Sequence, residues 1–249
     1  MRGRGAAGTG CGGNGAGDGR AGQRGAGAPE RARRGRIIVV IFGLIMREHA
    51  WIGSRAAEEG SSMGRDALLV MDVQQAIVDR FAGVDNAVGY LPRLRSTIEA
   101  ARAADVPVIY VVVGFRAGHP EVSGRNKTFG ALAQSGAFAE GSAGTAVHPD
   151  LAPQPGDVVV TKKRVSAFAG SDLDMVLRAN RVDGLVLTGI ATSGVVLSTV
   201  RQAADLDFRL TVLGDGCLDA DAEVHRVLLE KVFPRQAEVV GSEEWVKGL

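Results

Sequence analysis

Short apolar runs alternate with amphipathic segments from residue 66 onward, and this alternation is the strongest structural signal in the chain. The runs ALLVMD and DGLVLTGI are nearly free of polar residues. Apolar runs of this length are typical of strands buried on both faces of a parallel sheet. The strands predicted in this way are 67–72, 105–115, 157–162, 183–190 and 208–215, with an edge strand in 236–245. The helices predicted between them are 85–104, 171–180, 193–207 and 221–233.

Strands and helices that alternate at this spacing predict one α/β domain over residues 64–249. We expect a three-layer, doubly wound fold, with a mostly parallel sheet of about six strands and helices on both faces. A Gly-rich excursion, 114–156, interrupts the alternation and is expected to cover the cleft and set specificity. In such sheets ligands bind beyond the carboxyl ends of the strands, where the strand order reverses. The residues that end each strand are therefore the candidates for function.

The composition changes at about residue 63. Residues 1–63 hold 16 of the 35 glycines and carry ten Lys/Arg against five Asp/Glu, whereas residues 64–249 have a net charge of −4. We interpret 1–63 as a disordered Gly/Arg-rich leader, and we expect the native protein to start at Met63 or Met46. A nucleic-acid-binding arm is the alternative for the Gly/Arg-rich part. A signal or anchor is the alternative for 37–46, which is too short to span a bilayer as a helix.

The body of the chain limits the classes of partner and compartment. Because it is mildly acidic, we expect a small-molecule substrate and neither a nucleic acid nor a membrane as partner. Cys11 and Cys217 suggest no disulfide framework and suit a reducing, cytoplasmic setting. The histidines lack the spacing of metal ligands, and no phosphate-binding glycine loop follows the first strand. We therefore expect no metal and no cofactor.

Charged residues end two of the predicted strands. Asp72 ends the first, where burial should raise the pKa of its carboxyl group and suit it to proton transfer. A helix cap or loop contact is an equally simple role for Asp72. Lys162 and Lys163 end the third strand and should point to opposite faces, so only one can face the cleft. That lysine could orient the carboxylate or hold an anionic substrate, and a solvated basic turn is the alternative.

The fourth strand ends in the turn TGIATSGVV, which leads into a helix. Backbone N–H groups at such a helix start can bind an oxyanion or a carboxylate. Thr192 or Ser193 could also serve simply as the helix cap. Cys217 follows the fifth predicted strand, where a small buried apolar role is favoured over catalysis.

Three motifs at these strand ends, VMDVQQAIV, TKKRVSAF and TGIATSGVVLST, resemble those of the isochorismatase-like (cysteine hydrolase) superfamily. The resemblance covers about 66–240, and the sequence TSGVV is similar to a branch that lacks the usual catalytic cysteine. Members of the superfamily hydrolyse amide-type C–N bonds or the vinyl ether of isochorismate. The amidases among them use an Asp–Lys–Cys triad.

The resemblance implies a role for each matching position of this chain. Asp72 and Lys162 correspond to the catalytic Asp and Lys, and a cis peptide bond is implied between Ile190 and Ala191. Val195 occupies the position of the cysteine. The backbone N–H groups of Ala191 and Val195 would form the oxyanion hole, which a change of side chain leaves in place. The other side chains expected in the substrate cleft are Gln74, Phe81, Phe115, Ser166, Phe168, Thr192 and Ser193.

The missing thiol decides which mechanism is expected. Val195 cannot attack a carbonyl group, so we expect a hydrolase that uses Asp-based acid/base catalysis without a cysteine nucleophile. The alternative is a catalytically silent member of the fold that binds a small molecule. Because this fold often assembles through its helices, a homo-oligomer, dimer or larger, is expected as well. A purely structural oligomer subunit is the third hypothesis.

Overall fold

The computed structural model describes residues 64–84 and 87–249 of the chain. The predicted leader, 1–63, lies outside these residues, as do Asp85 and Asn86 at the start of one predicted helix. In the described part of the chain, no helix is both long enough and apolar enough to cross a membrane.

Six parallel strands form a single sheet. The strands are β1 (Arg65–Met71), β2 (Val108–Val113), β3 (Val158–Lys162), β4 (Val182–Ile190), β5 (Arg209–Leu218) and β6 (Glu238–Val240). Their order across the sheet is β3-β2-β1-β4-β5-β6, and each adjacent pair is parallel. The predicted doubly wound sheet is therefore confirmed, with all of its strands parallel.

Helices follow most of the strands. They are α1 (Gln75–Phe81), α2 (Tyr90–Ala103), α3 (Lys127–Ser135), α4 (Leu173–Ala179), α5 (Leu197–Asp205), α6 (Ala222–Val227) and α7 (Ser242–Lys247). Helices α1 and α3 were absent from the prediction. Helix α3 lies within the Gly-rich excursion, and α1 follows β1 directly.

Helices cover both faces of the sheet. Leu69 and Met71 of β1 pack on one face with apolar residues of α4 and α5. Leu68 and Val70 pack on the other face with Leu94 and neighbouring residues of α2. Because both faces are buried, β1 is apolar at successive positions instead of at alternate ones. The three-layer arrangement is confirmed.

The strand order reverses between β1 and β4. On one side of this point β1 is followed by β2 and β3, and on the other side β4 is followed by β5 and β6. Met71 pairs with Gly189 here. Gly189 has a φ of 143°, and a Cβ atom on it would lie 2.2 Å from the carbonyl oxygen of Met71. Glycine is therefore required for the ends of these two strands to approach so closely.

Several element boundaries differ from the prediction, for local reasons. Helix α2 begins at Tyr90 instead of residue 85, after Gly89, whose φ is 74°. Strand β5 continues to Leu218 instead of ending at 215, because its register against β4 shifts between Leu187 and Gly189. The segment 236–245 contains the edge strand β6 and then the start of α7, where a tail was expected.

Two predicted helices contain irregular turns. The helix predicted over 193–207 begins with a π-helical turn, Thr192–Val196, that precedes α5. The helix predicted over 221–233 is α6 only in its first part and continues as a π-helical turn, Leu228–Val232. A 3₁₀ turn, Phe233–Arg235, then ends it. Pro234 has no N–H group to donate and so cannot continue the helical hydrogen bonds there.

The excursion, 114–156, has its own small apolar core. Phe115 and Phe129 pack edge to face with ring centroids 5.6 Å apart, and Val113 completes their cluster. Ile77 of α1 and Val165 of the loop after β3 pack against this cluster. The excursion is therefore held against elements that lie next to the carboxyl edge of the sheet.

Candidate active site

Asp72 stands at the reversal point, directly after β1. Its N–H group donates to the carbonyl oxygen of Val111 at 2.8 Å, and its φ of 55° turns the chain out of the strand. The residue is only 7% exposed. A buried apolar strand thus delivers a carboxylate to a desolvated position at the edge where ligands bind.

Lys162, the last residue of β3, reaches past the end of β2 to Asp72. Its Nζ lies 3.0 Å from Oδ2 of Asp72 and donates to the carbonyl oxygen of Arg164 at 2.9 Å. Lys162 is 2% exposed. Two residues that are far apart in sequence therefore form a buried ion pair, because their strands end at the same edge.

Lys163 points away from this pair, as the alternation of side chains along a strand predicts. Its Nζ donates to the carbonyl oxygen of Gly114 at 2.7 Å and pairs with Glu140 of the excursion. Of the two lysines, Lys162 is the one that meets Asp72.

Burial raises the pKa of Asp72 above its ordinary value, and the ion pair with Lys162 opposes that rise. Oδ2 of Asp72 is held by Lys162, whereas Oδ1 is buried and has no hydrogen-bond partner among the described residues. A carboxyl group with a raised pKa and an unpartnered oxygen can accept a proton and return it. The geometry therefore suits Asp72 to acid/base chemistry.

The turn after β4 lies beside this pair, since β4 is the neighbour of β1. The peptide bond between Ile190 and Ala191 is cis, as the resemblance implies. The carbonyl oxygen of Ala191 accepts the N–H groups of Gly194 and Val196, at 3.0 Å and 3.3 Å. The carbonyl oxygen of Ala191 therefore has two hydrogen-bond donors without the N–H group of Val195, which the resemblance assigns to the oxyanion hole. Val195 itself is 2% exposed.

Two residues absent from the prediction, Asp219 and His225, hold this turn. Oδ2 of Asp219 accepts the N–H group of Ser193 at 2.6 Å, and Oγ1 of Thr192 lies 2.8 Å from Nδ1 of His225. Burial lowers the pKa of His225, and the charge of the nearby Asp219 opposes that change. Asp219 therefore caps the helix start from outside, and no cap comes from a side chain of the turn. Asp219 directly follows the observed end of β5, so a strand read to 218 would have indicated it.

The side chain of Gln74 forms hydrogen bonds with the backbone next to the site. Its Nε2 donates to the carbonyl oxygens of Val113 and Thr145, and its Oε1 accepts the N–H group of Val113, each at 2.8 Å. Gln74 has no exposed surface. Its amide group thus joins the end of β2 to the excursion, where the sequence predicted a side chain in the substrate cleft.

The two phenylalanines predicted in the cleft on this side of the sheet have packing roles in the structure. Phe115 is fully buried and stacks on His119, with ring centroids 5.2 Å apart, in the core of the excursion. Phe81, at the end of α1, is partly buried against the apolar cluster that contains α2. The structure therefore does not bring Phe115 to a ligand-facing surface.

Ser166 and Phe168 lie in the loop that follows Lys162. Oγ of Ser166 accepts the N–H group of Phe168 at 3.3 Å, and both residues are buried. Phe168 packs in the core, with its ring centroid 5.9 Å from that of Phe208. Their position next to Lys162 keeps Ser166 close to the site, while Phe168 belongs to the packing beneath it.

Cys217 lies within β5, where it pairs with Gly189 of β4. It is 2% exposed, and burial raises the pKa of its thiol to about 12. The thiol is therefore protonated near neutral pH and is a poor nucleophile. Its surroundings support the predicted role of a small buried apolar residue.

Each histidine in the described part of the chain contacts a polar group, and the contact of His225 with Thr192 is given above. Nε2 of His119 lies 2.7 Å from the carbonyl oxygen of Ala137, and Nδ1 of His148 accepts the N–H group of Asp150 at 3.2 Å. Within residues 64–84 and 87–249, no three His, Cys, Asp or Glu side chains are grouped as a metal site would require.

The parallel sheet, with a carboxylate–lysine pair and a helix-start turn at its reversal point, defines a doubly wound α/β protein with its candidate site at the carboxyl edge of the sheet. The model of the isochorismatase domain family matches residues 66–244. The chain belongs to the isochorismatase family.

Named relatives give the family context. The ureidoacrylate amidohydrolase RutB of Stutzerimonas stutzeri is 35% identical over 181 residues, which cover 63% of this chain and 71% of that protein. A cysteine hydrolase from Pseudomonas syringae pv. phaseolicola superposes with a TM-score of 0.68 at 26% identity, covering 74% of this chain and 91% of the other. N-carbamoylsarcosine amidase from Thermoplasma acidophilum superposes with a TM-score of 0.60 at 27% identity, covering 72% and 97%.

Proposed function

We propose that this chain hydrolyses an amide-type C–N bond in a small molecule by Asp-based acid/base catalysis, without a cysteine nucleophile. The observation that carries the proposal is the state of Asp72. One of its oxygens is held by Lys162 at 3.0 Å, and the other is buried and unpartnered among the described residues. Such an oxygen is poised for a proton, and Val195 provides no side chain that could compete as nucleophile.

The proposed reaction uses water as the attacking group. Oδ1 of Asp72 takes a proton from a water molecule as that water attacks the substrate carbonyl. The N–H groups of Ala191 and Val195 stabilise the negative charge that develops on the carbonyl oxygen. Asp72 then returns the proton to the leaving nitrogen, and its raised pKa favours this step. Lys162 keeps the carboxylate oriented throughout.

The relatives support a C–N bond as the target. RutB is named for the hydrolysis of ureidoacrylate and the Thermoplasma enzyme for that of N-carbamoylsarcosine. Both of these compounds carry a carbamoyl group bonded to nitrogen. A vinyl ether is the second substrate class, because the same Asp72 could protonate it. The first test is therefore a screen of N-carbamoyl amines, small primary amides and isochorismate, with release of ammonia or pyruvate as the readout.

A trapping experiment separates direct water attack from an acyl-enzyme. With hydroxylamine present, an acyl-enzyme partitions to a hydroxamate, whereas direct attack of water gives only the ordinary hydrolysis product. We expect no hydroxamate. Hydroxamate formation at a rate matching turnover would contradict the proposal.

The valine at position 195 favours a second candidate function, a protein that binds a small molecule in the cleft but does not hydrolyse it. In that case the screen would find ligands and no turnover, and Asp72→Asn would change only their affinity. Turnover by the wild type that Asp72→Asn abolishes would exclude it.

We also propose that the protein acts in the cytoplasm and forms a homo-oligomer, dimer or larger. The proposal of self-association rests on the fact that proteins with this fold often form oligomers through contacts between their helices. Sedimentation analysis of the purified chain tests it, and a monomer at micromolar concentration would contradict it.

A further inference from the structure

Three consecutive basic residues follow Thr161, and each points in a different direction. Lys162 points inward to Asp72, and Lys163 pairs with Glu140 of the excursion. Arg164, the third, lies in the loop after β3 and is half-buried against the excursion. The proposed reaction uses only the first of the three, so the other two need their own explanation.

The guanidinium group of Arg164 joins two segments of backbone. Its Nη2 donates to the carbonyl oxygen of Glu121 in the excursion at 2.7 Å, and its Nη1 donates to the carbonyl oxygen of Lys163 at 2.6 Å. Its Cζ lies 6.0 Å from the ring centroid of Phe129. An arginine fork that binds two carbonyl oxygens and lies near an aromatic ring fixes both segments, and a lysine could not reproduce that geometry.

The backbone of the same residue contacts the ion pair. The carbonyl oxygen of Arg164 accepts a hydrogen bond from Nζ of Lys162 at 2.9 Å, and Nζ lies 3.0 Å from Oδ2 of Asp72. The side chain of Arg164 therefore anchors the residue whose carbonyl group helps to orient the ammonium group of Lys162.

We propose that Arg164 is a positioning residue, which fastens the excursion to the loop after β3 and thereby holds Lys162 against Asp72. The importance of this for turnover rests on the proposed function. The positioning itself concerns a contact between side chains and can be tested without any substrate.

Loss of the Arg164 side chain has a definite electrostatic consequence. When the loop relaxes, Lys162 loses its carbonyl acceptor and its ion pair with Asp72 weakens. Lys162 is the charged group that opposes the effect of burial on the pKa of Asp72. A weaker pair therefore leaves burial less opposed, and the Asp72 carboxyl group titrates at higher pH.

The experiment compares Arg164→Met, Arg164→Lys and a matched control, Arg125→Met, in the full chain. Arg125 lies on the exposed surface of the same excursion, and its side chain makes no hydrogen bond or ion pair with any described residue. The ¹³C NMR titration of the Asp72 carboxyl carbon, assigned with Asp72→Asn, is the main readout. Hydrogen exchange of peptides covering 116–131 reports the fastening of the excursion.

We expect Arg164→Met to raise the Asp72 midpoint by about 0.5–1 pH unit, Arg164→Lys to raise it less, and Arg125→Met to leave it unchanged. Hydrogen exchange over 116–131 should increase most in Arg164→Met, less in Arg164→Lys and not in Arg125→Met. An unchanged midpoint in Arg164→Met would overturn the proposal, as would an equal shift in Arg125→Met, which would indicate only a lost charge. If Arg164→Met does not fold, an unchanged midpoint in Arg164→Lys overturns it. Absence of turnover in the wild type would count against the proposed function and not against this result.

Discussion

Nζ of Lys162 lies 3.0 Å from Oδ2 of Asp72, although their strands are separated by β2 in the sheet. Both side chains are buried, so the two charges stabilise each other, and the carbonyl oxygen of Arg164 also accepts a hydrogen bond from Lys162. The pair orients one carboxylate oxygen and leaves the other without a partner among the described residues. The proposed chemistry depends on that asymmetry.

Asp72→Asn should abolish turnover while the protein remains folded. Asparagine keeps the shape and one acceptor oxygen but cannot take up a proton, and loss of a general acid/base lowers kcat by roughly 10²–10⁴. The measurement is kcat on the best substrate from the screen, with circular dichroism to check folding. Asp79→Asn, on the exposed surface of α1, is the control and should retain activity. Undiminished turnover in Asp72→Asn would refute the assignment.

Lys162→Met should move the acid limb of the kcat/KM profile to higher pH. Burial disfavours the ionised form of Asp72 and Lys162 favours it, so removal of Lys162 raises the pKa of Asp72 further. A shift of about 1 pH unit or more is expected, since a single close charge commonly changes a pKa by that amount. Lys127→Met, exposed on α3, removes the same charge at a distance and should not shift the limb. A shift to lower pH would have the wrong sign.

Cys217→Ser should leave turnover within about twofold of the wild type, because the proposed reaction does not use the buried, protonated thiol. Burial raises the pKa of Cys217 to about 12, and the residue is 2% exposed. Iodoacetamide should likewise fail to inhibit the enzyme. Inhibition that Cys217→Ser prevents would show that a thiol takes part.

Val195→Cys should add a thiol at the position that the resemblance assigns to the nucleophile. Cysteine is smaller than valine, so it fits the buried position, and the helix start favours its thiolate. We expect amidase activity to increase by about tenfold or more, with hydroxamate now formed in the presence of hydroxylamine. The control is Val196→Cys, one residue further along the chain, a position that is equally buried but does not match that of the family's cysteine. Equal gains in both variants would argue against a specific position.

Gly189→Ala should destabilise the fold, because its Cβ would lie 2.2 Å from the carbonyl oxygen of Met71 at a φ of 143°. Strain of this kind lowers the free energy of unfolding by about 2–3 kcal/mol. Gly194→Ala is the control, because its Cβ would meet only Ala191 Cβ, at 3.8 Å. An alanine in the helical turn should stabilise by about 0.5–1 kcal/mol. Urea unfolding measures both, and equal stability of the two variants would contradict the argument.

The fold followed from the sequence more completely than the site did. Continuous apolar runs identify strands because burial on both faces removes polar residues from them, and every predicted strand is present. The apolar pattern predicts that the fifth strand ends at residue 215. The strand in fact continues through an irregular register to Leu218. Because the predicted strand end is three residues too early, the prediction does not place Asp219 at a strand end, although its carboxylate caps the turn after β4.

The sequence by itself determined the parallel sheet, the residues at the ends of its strands and the absence of a thiol at position 195, because these are properties of local pattern and residue type. Only the tertiary structure decided what each side chain meets. It turned Lys162 toward Asp72 and Lys163 toward Glu140, and it committed Gln74 to three backbone hydrogen bonds. The reason is that burial and hydrogen-bond partners come from strands and loops distant in sequence, which no local pattern encodes.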